Sequence, residues 1–229
     1  MSNYRKERKI DIVMCIDSTS SMGPCIDNVR THAKRFYKDV VDKMENEYDS
    51  EVTELRVQVV TFRDLECDVD AITKSEFFEL PTDERLFERY LDGITPRGGG
   101  DYKESGLEAL YTAMTTDWRA RGSDDRQVIL LFTDADAIDF GEKSNRPGYE
   151  TICDSDLFYK TWLCMLGNGN KLSPRTKRLI MFAPDSGVYK DLVKTIDRSQ
   201  LSAVQPQNGM ADVDFEDIIK ITCASVSSQ

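Results

Sequence analysis

The chain has one histidine in 229 residues, and that scarcity removes most hydrolytic machinery at once. A Ser-His-Asp or Cys-His arrangement needs a histidine beside its nucleophile, whereas His32 sits inside a helical pattern, off its apolar stripe. It reads as a solvated surface residue. Zinc chemistry lacks ligands for a related reason: Cys15, Cys25, Cys67, Cys153, Cys164 and Cys223 form no C-x-x-C pair, and several lie inside apolar segments. They read as reduced core thiols rather than a zinc site or a disulfide framework. No apolar run approaches the roughly 20 residues that span a bilayer, and the N-terminal MSNYRKERK is charged without a hydrophobic signal core. A soluble, cytoplasmic protein is expected. Positive charge is scarce too, with 30 Lys and Arg against 41 Asp and Glu and a net charge of −11. That balance argues against nucleic acid or a membrane as the main partner, and leans weakly towards basic ones.

What is present is a set of oxygen donors at strand ends. Ile10 to Met22 reads IDIVMCIDSTSSM: an apolar run ends on Asp17, with Thr19 and Ser21 at alternate positions after it. Such a run reads as a buried strand of a parallel sheet, and in open parallel sheets ligands bind beyond the strands' carboxyl ends. One carboxylate and two hydroxyls are hard donors, suited to Mg²⁺, Mn²⁺ or Ca²⁺ and poorly suited to Zn²⁺ or Cu. Taken alone, the same residues also suit a Ser/Thr-rich turn capping the next helix, with Asp17 as its N-terminal anion. A second apolar run, Gln127 to Thr133 (QVILLFT), ends on Asp134, Ala135 and Asp136. Between the two lies Arg97-Gly98-Gly99-Gly100-Asp101, whose glycines permit close backbone approach and positive φ, so that Asp101 can swing toward the same crevice. Three carboxylates and two hydroxyls on three separated loops favour metal binding over capping.

The remaining pattern alternates strands and helices. Pro24 to Tyr48 places Ile26, Val29, Ala33, Phe36, Val40 and Met44 on one helical stripe. Leu55 to Phe62 reads as the second strand, with Val69 to Ile72 a short antiparallel edge beside it. Phe62 then ends at the same face as Asp17, bringing Arg63 and Asp64 near the site, where a surface ion pair is the alternative reading. Helices are expected over Thr82 to Leu91, Lys103 to Arg119 (closed by Trp118), Asp154 to Leu166, Val188 to Ile196 and Val213 to Ile221. In the third of these, Leu157, Phe158, Trp162, Met165 and Leu166 form the core face. Strands follow at Arg178 to Ala183 and Leu201 to Val204. This order implies an α/β, doubly wound, mostly parallel central sheet with helices on both faces and one short antiparallel edge strand. One domain is expected over 1–229, with a short extension at 1–8 and a long connection at 137–176 near the site that selects a partner.

The pattern resembles a von Willebrand factor A (vWA) domain with its metal-ion-dependent adhesion site. That family's site reads Asp-x-Ser-x-Ser after the first strand, a Thr in a Gly-rich loop, and an Asp after the fourth strand. Here Asp17, Thr19 and Ser21 match the first element, Asp101 stands at the Thr position and Asp134 at the last. Thr19 keeps the hydroxyl of the family's Ser, while Asp101 adds a charge. Phe62-Arg63-Asp64, Gly98-Gly99-Gly100-Asp101 and Trp118 are similar to intracellular vWA proteins of the tellurite-resistance type and to the vWA part of certain alpha-kinases. The resemblance implies a Rossmann-like fold and a non-catalytic, metal-dependent protein-interaction module in a stress or conflict response. Mg²⁺, or Mn²⁺ or Ca²⁺, would be held by Asp17, Thr19, Ser21, Asp101 and Asp134, with Arg63, Asp64 and Asp136 around them and a protein partner on that face.

Two alternatives stay open. A Mg²⁺-dependent phosphotransferase of the haloacid-dehalogenase type also places an Asp after its first strand, but needs a carboxylate two residues later, where this chain has Thr19. A degenerate vWA scaffold without metal is kept open by Asp101. Dinucleotide binding fails, because Asp-Ser-Thr-Ser-Ser-Met lacks the glycines that admit a pyrophosphate.

Overall fold

A computed structural model describes residues 5–99, 103–141, 154–167, 171–211 and 213–228. The two apolar runs that end on carboxylates become adjacent central strands. β1 (Lys6–Asp17) lies between β2 (Ser50–Phe62) and β6 (Arg126–Phe132), and β8 (Lys177–Ala183) and β9 (Ser199–Ala203) extend the sheet, all of them parallel. Every β1 residue from Ile10 to Asp17 is buried, as a strand covered on both faces requires. Ile10, Ile12, Met14 and Ile16 face the layer of α1 (Gly23–Tyr48), α2 (Glu84–Gly93) and α6 (Phe215–Ser227). Val13 and Cys15 face α3 (Gly106–Met114), α4 (Ser155–Trp162) and α5 (Gly187–Thr195). The fold is the doubly wound α/β arrangement that the alternation implies, and α1 buries the stripe its spacing predicts.

Several boundaries depart from expectation for reasons that lie outside their own segments. The edge holds two short antiparallel strands instead of one: β2 is long enough to pair with β3 (Ile72–Lys74) at Val60 to Phe62 and with β4 (Phe78–Leu80) at Leu55 to Val57. Lys103 and Glu104 are not helical; as β5 (Lys103–Glu104) they pair with β7 (Asp136–Ala137). Helix α3 also stops early, at Met114, where the Thr115 hydroxyl takes the Tyr111 carbonyl and the Thr116 hydroxyl reaches Gln58. Trp118 still closes this end, buried with its indole N–H on Ala113 O at 3.0 Å. α4 ends at Trp162, and Cys164 turns left-handed at φ 57, so Met165 and Leu166 are exposed rather than core. His32 is not a solvated residue either: it is half-buried and stacks on Phe215 of α6 at 4.7 Å, a contact invisible in the period of α1.

The amino-terminal edge of the sheet is where buried charge is matched. Asp11 and Arg56 are each at most 2% exposed and form a two-pronged ion pair at 2.8 and 2.6 Å. The Arg119 and Ala120 N–H groups also donate to Asp11, and the Arg56 guanidinium lies 4.3 Å from the Phe77 ring centre. Beside this pair, Arg8, Arg126 and Arg178 donate to the carbonyls of Ser225, Ser227 and Ser228 at the carboxyl end of α6, the negative pole of that helix. Burial, and then neighbouring cations, draw Arg126 and Arg178 down to about 10. Replacing Asp11 leaves the Arg56 charge buried without its anion. Asp11→Asn is therefore expected to lower the unfolding free energy by about 3 kcal/mol in urea titrations; an unchanged midpoint would show that the pair is not a stabilising element.

Candidate functional site

The sheet register sets the site. Asp17 pairs with Phe62 and Ile16 with Phe132, so β1, β2 and β6 end level and their next residues share one carboxyl edge. Asp17 Oδ1 accepts from the Thr19 N–H at 2.9 Å and the Thr19 hydroxyl at 2.7 Å, and Oδ2 accepts from the Thr133 hydroxyl at 2.7 Å. The Ser21 hydroxyl donates to Asp134 Oδ1 at 2.9 Å and lies 3.4 Å from Thr19 Oγ1. Asp17, Thr19, Ser21 and Asp134 thus form one hydrogen-bonded cluster. Neither Thr19, ahead of the short 3₁₀ turn at Ser20–Met22, nor Met22, ahead of α1, makes a side-chain cap. The Asp17 carboxylate turns back on its own loop instead of capping the helix.

Two members of the cluster escaped sequence reasoning. Thr133 is the last residue of the apolar run and reads there as strand, yet its hydroxyl fills one side of Asp17. Gly209, beyond β9, donates its N–H to Asp134 Oδ2 at 2.7 Å, and the Gln207 N–H donates to Asp134 O at 2.9 Å. The Asn208-Gly209 pair signals a turn, but nothing in its spacing ties it to Asp134. Gly209 has φ 58, and a Cβ there would lie 2.2 Å from Ser21 O. Only glycine lets this loop come so close.

The surrounding residues take other partners. Arg97 N–H donates to Ser18 O at 3.0 Å and the Ser20 hydroxyl to Gly98 O at 3.1 Å, pinning the glycine-rich loop to the end of β1. Asp68 accepts the Gly99 N–H at 3.1 Å and lies 3.6 Å from Arg63 Nε. Arg63 itself is buried and donates to Val69 O and Asp70 O. It braces the glycine-rich loop through Asp68 and is not a surface ion pair. Asp64 is buried and accepts the Glu66 N–H at 2.7 Å. Asp136 accepts the Ser186 hydroxyl at 2.7 Å, just ahead of α5. Asp101 lies outside the described residues, as do 142–153 of the long connection.

Charge at the cluster is unbalanced. Asp17 is fully buried and Asp134 is 1% exposed, and among the described residues no Lys, Arg or His forms an ion pair with either. Burial pushes the Asp17 carboxyl up to about 6; hydrogen bonds from Thr19 and Thr133 oppose this, and the Asp134 charge adds to it. A hard cation suits these donors. Each hydroxyl gives its proton to a carboxylate and keeps lone pairs for a metal. Their 3.4 Å spacing is near the roughly 3 Å between adjacent oxygens around six-coordinate Mg²⁺. No group of three or more His, Cys, Asp or Glu placed to hold a metal occurs among the described residues. The cluster supplies two carboxylates and makes up its donor set with hydroxyls.

A sequence profile of the von Willebrand factor A domain matches residues 11–152. The chain belongs to the von Willebrand factor A family. The matched span contains Asp17, Thr19, Ser21, Asp101 and Asp134 and stops before β8, β9 and α6. Among solved structures, this vWA chain is similar to proximal thread matrix protein 1 from the mussel byssus, at 18% identity and a TM-score of 0.50 over 94% of this chain and 46% of that one. It is also similar to the pilus adhesin SpaC from Lactobacillus rhamnosus GG, at 11% identity and a TM-score of 0.51 over 96% and 31%. At these identities the likeness concerns the fold, and the chain spans less than half the length of either protein. No curated protein sequence matches it significantly.

The close approach at Gly209 can be tested directly. Gly209→Ala is expected to lose about 2 kcal/mol of stability in thermal or urea unfolding, because left-handed backbone and steric overlap act together. Gly23→Ala, where a Cβ meets nothing within 4 Å, serves as the control and should be nearly neutral.

Proposed function

We propose that this vWA chain is a non-catalytic protein-interaction module that binds a hard divalent cation, Mg²⁺ or else Mn²⁺ or Ca²⁺, at Asp17, Thr19, Ser21 and Asp134, with Asp101 as a further ligand. The observation that carries the reading is the pair of buried carboxylates, Asp17 and Asp134, with no basic partner among the described residues and the hydroxyls of Thr19, Ser21 and Thr133 donating into them. A bound cation would neutralise that charge and offer open coordination positions to a partner's oxygen or to water. The partner would dock on the face where β1, β2 and β6 end. Matrix protein and adhesin, the names carried by two similar structures, are names of binding and assembly. That β8 and β9 extend the sheet begun by the matched span, and that α6 packs on one of its faces, supports one functional unit along the chain. The free thiols at Cys15, Cys25, Cys67, Cys164 and Cys223 suit a reducing, cytoplasmic compartment. No helix among the described residues is long and apolar enough to cross a membrane. The adaptor role in stress or conflict responses rests on the resemblance to tellurite-resistance-type and alpha-kinase-associated vWA proteins.

Asp101 changes what the metal would do. Three carboxylates against one divalent ion leave a formal charge of about −1, so a partner's Glu or Asp entering the coordination shell would meet like charge. Tight metal binding with a weak demand for an acidic ligand at the ion is the consequence. Calorimetric titration of Mg²⁺ and Mn²⁺ is expected to show binding that Asp17→Asn abolishes. The same variant should keep or raise the thermal stability of the metal-free protein, since it removes a buried charge while Thr133 can turn its hydroxyl to accept from the amide. Asp101→Thr is expected to bind metal more weakly; equal or tighter binding would remove Asp101 from the ligand set. The phosphotransferase alternative has its own test, in which the purified protein with Mg²⁺ is expected to leave a generic phosphoester intact. Turnover that Asp17→Ala abolishes would replace the interaction reading with an enzymatic one.

A further inference from the structure

Beside the carboxylate cluster, a cleft of about 820 Å³ opens between the ends of β2 and β3 and the carboxyl end of α2. Its lining carries three arginines, Arg63, Arg89 and Arg97, against one carboxylate, Asp70. In a chain with a net charge of −11, that is a local reversal of sign. The three arginines are not equivalent. Arg63 is buried, its guanidinium held by Val69 O, Asp70 O and the nearby Asp68. Arg89 on α2 and Arg97 at the start of the glycine-rich loop are exposed, and neither side chain has an ion-pair or hydrogen-bond partner among the described residues. Tyr90 and Thr95, which carry hydroxyl donors, line the same cleft. Ser18 lines the same cleft and directly follows Asp17, so the cleft runs up to the proposed metal face.

We infer that this cleft binds a carboxylate-rich, extended segment of a protein partner, with Arg89 and Arg97 each taking one side-chain carboxylate. A guanidinium fork matches a carboxylate through two parallel hydrogen bonds. Two forks without a partner among the described residues, on separate elements, call for two anionic groups along one chain rather than a single small anion, and the cleft is far larger than a phosphate. The inference stands on the cleft's own residues and holds whether or not a metal binds at Asp17. If one does, the acidic segment finds its positive charge at the arginines, and the ion need not accept a partner carboxylate.

The test is fluorescence anisotropy with a labelled short oligoglutamate peptide, an oligoglutamine peptide of equal length and a singly phosphorylated peptide on a neutral backbone. Each is titrated with the full chain in Mg²⁺ and in EDTA. Oligoglutamate is expected to bind in both conditions and oligoglutamine in neither. Arg89→Glu/Arg97→Glu should weaken oligoglutamate binding by about tenfold or more. Arg121→Glu/Lys220→Glu makes the same change in net charge at exposed positions away from the cleft and should leave binding within about twofold. Equal loss in the two double variants, binding only in Mg²⁺, or binding of the phosphorylated peptide alone would each overturn the inference. Failure of the metal reading is separately visible: calorimetry flat for Mg²⁺, with oligoglutamate still bound in EDTA, sinks that reading and supports the cleft.

Discussion

Two carboxylates are buried side by side at the rim of a parallel sheet without a basic side chain among the described residues to balance them, and the upper end of the molecule is organised around that imbalance. Thr19, Thr133, Ser21 and the Gly209 N–H all point donors at Asp17 and Asp134. Hydrogen bonds to a charged group stabilise it by about 1.5–3 kcal/mol each, yet the Asp17 carboxyl still holds its proton up to about 6. Dipoles offset part of the desolvation and leave a net negative potential at the rim. The loop after β1, the loop after β6 and the turn containing Gly209 are held together by groups that share this charge. A cation here would complete an arrangement whose donors are already turned inward.

The opposite edge of the sheet solves the same problem differently. Asp11 and Arg56 neutralise one another, with two backbone N–H groups completing the Asp11 shell. Arg8, Arg126 and Arg178 spend their charge on the carbonyls that end α6. Every buried charge named at that edge therefore has a partner of opposite sign or an aligned dipole. The contrast between a matched amino-terminal edge and an unmatched carboxyl edge is a physical reason to look for binding at the latter, in keeping with the general placement of ligands in open α/β sheets.

Net charge and local charge make different statements about partners. The formal −11 is a sum over the whole surface and governs long-range approach. Within a Debye length of about 8 Å at physiological salt, the groups lining a cleft dominate, and between β3 and α2 those groups are arginines. Composition favours basic partners only to the extent that they meet the average surface.

The strands β1, β6 and β8 and the helix α1 were legible in the sequence because their signals are local: continuous apolar runs and a three-to-four residue stripe are written within a few turns of chain. So was the convergence of Asp17, Thr19, Ser21 and Asp134, since a strand-end donor pattern implies its own position once two such strands are parallel neighbours. What escaped depends on contacts between distant segments. Thr133 and Gly209 join the cluster from 116 and 75 residues away from their carboxylates. His32 is covered by Phe215, Lys103 and Glu104 become strand because Asp136 and Ala137 lie beside them, and Met165 is exposed because the chain turns at Cys164. The sequence by itself determined the fold class and the donor chemistry at the strand ends, because periodicity and residue type suffice for both. Only the tertiary structure decided which charges are left without partners, because burial and pairing are properties of segments brought together, not of any one of them.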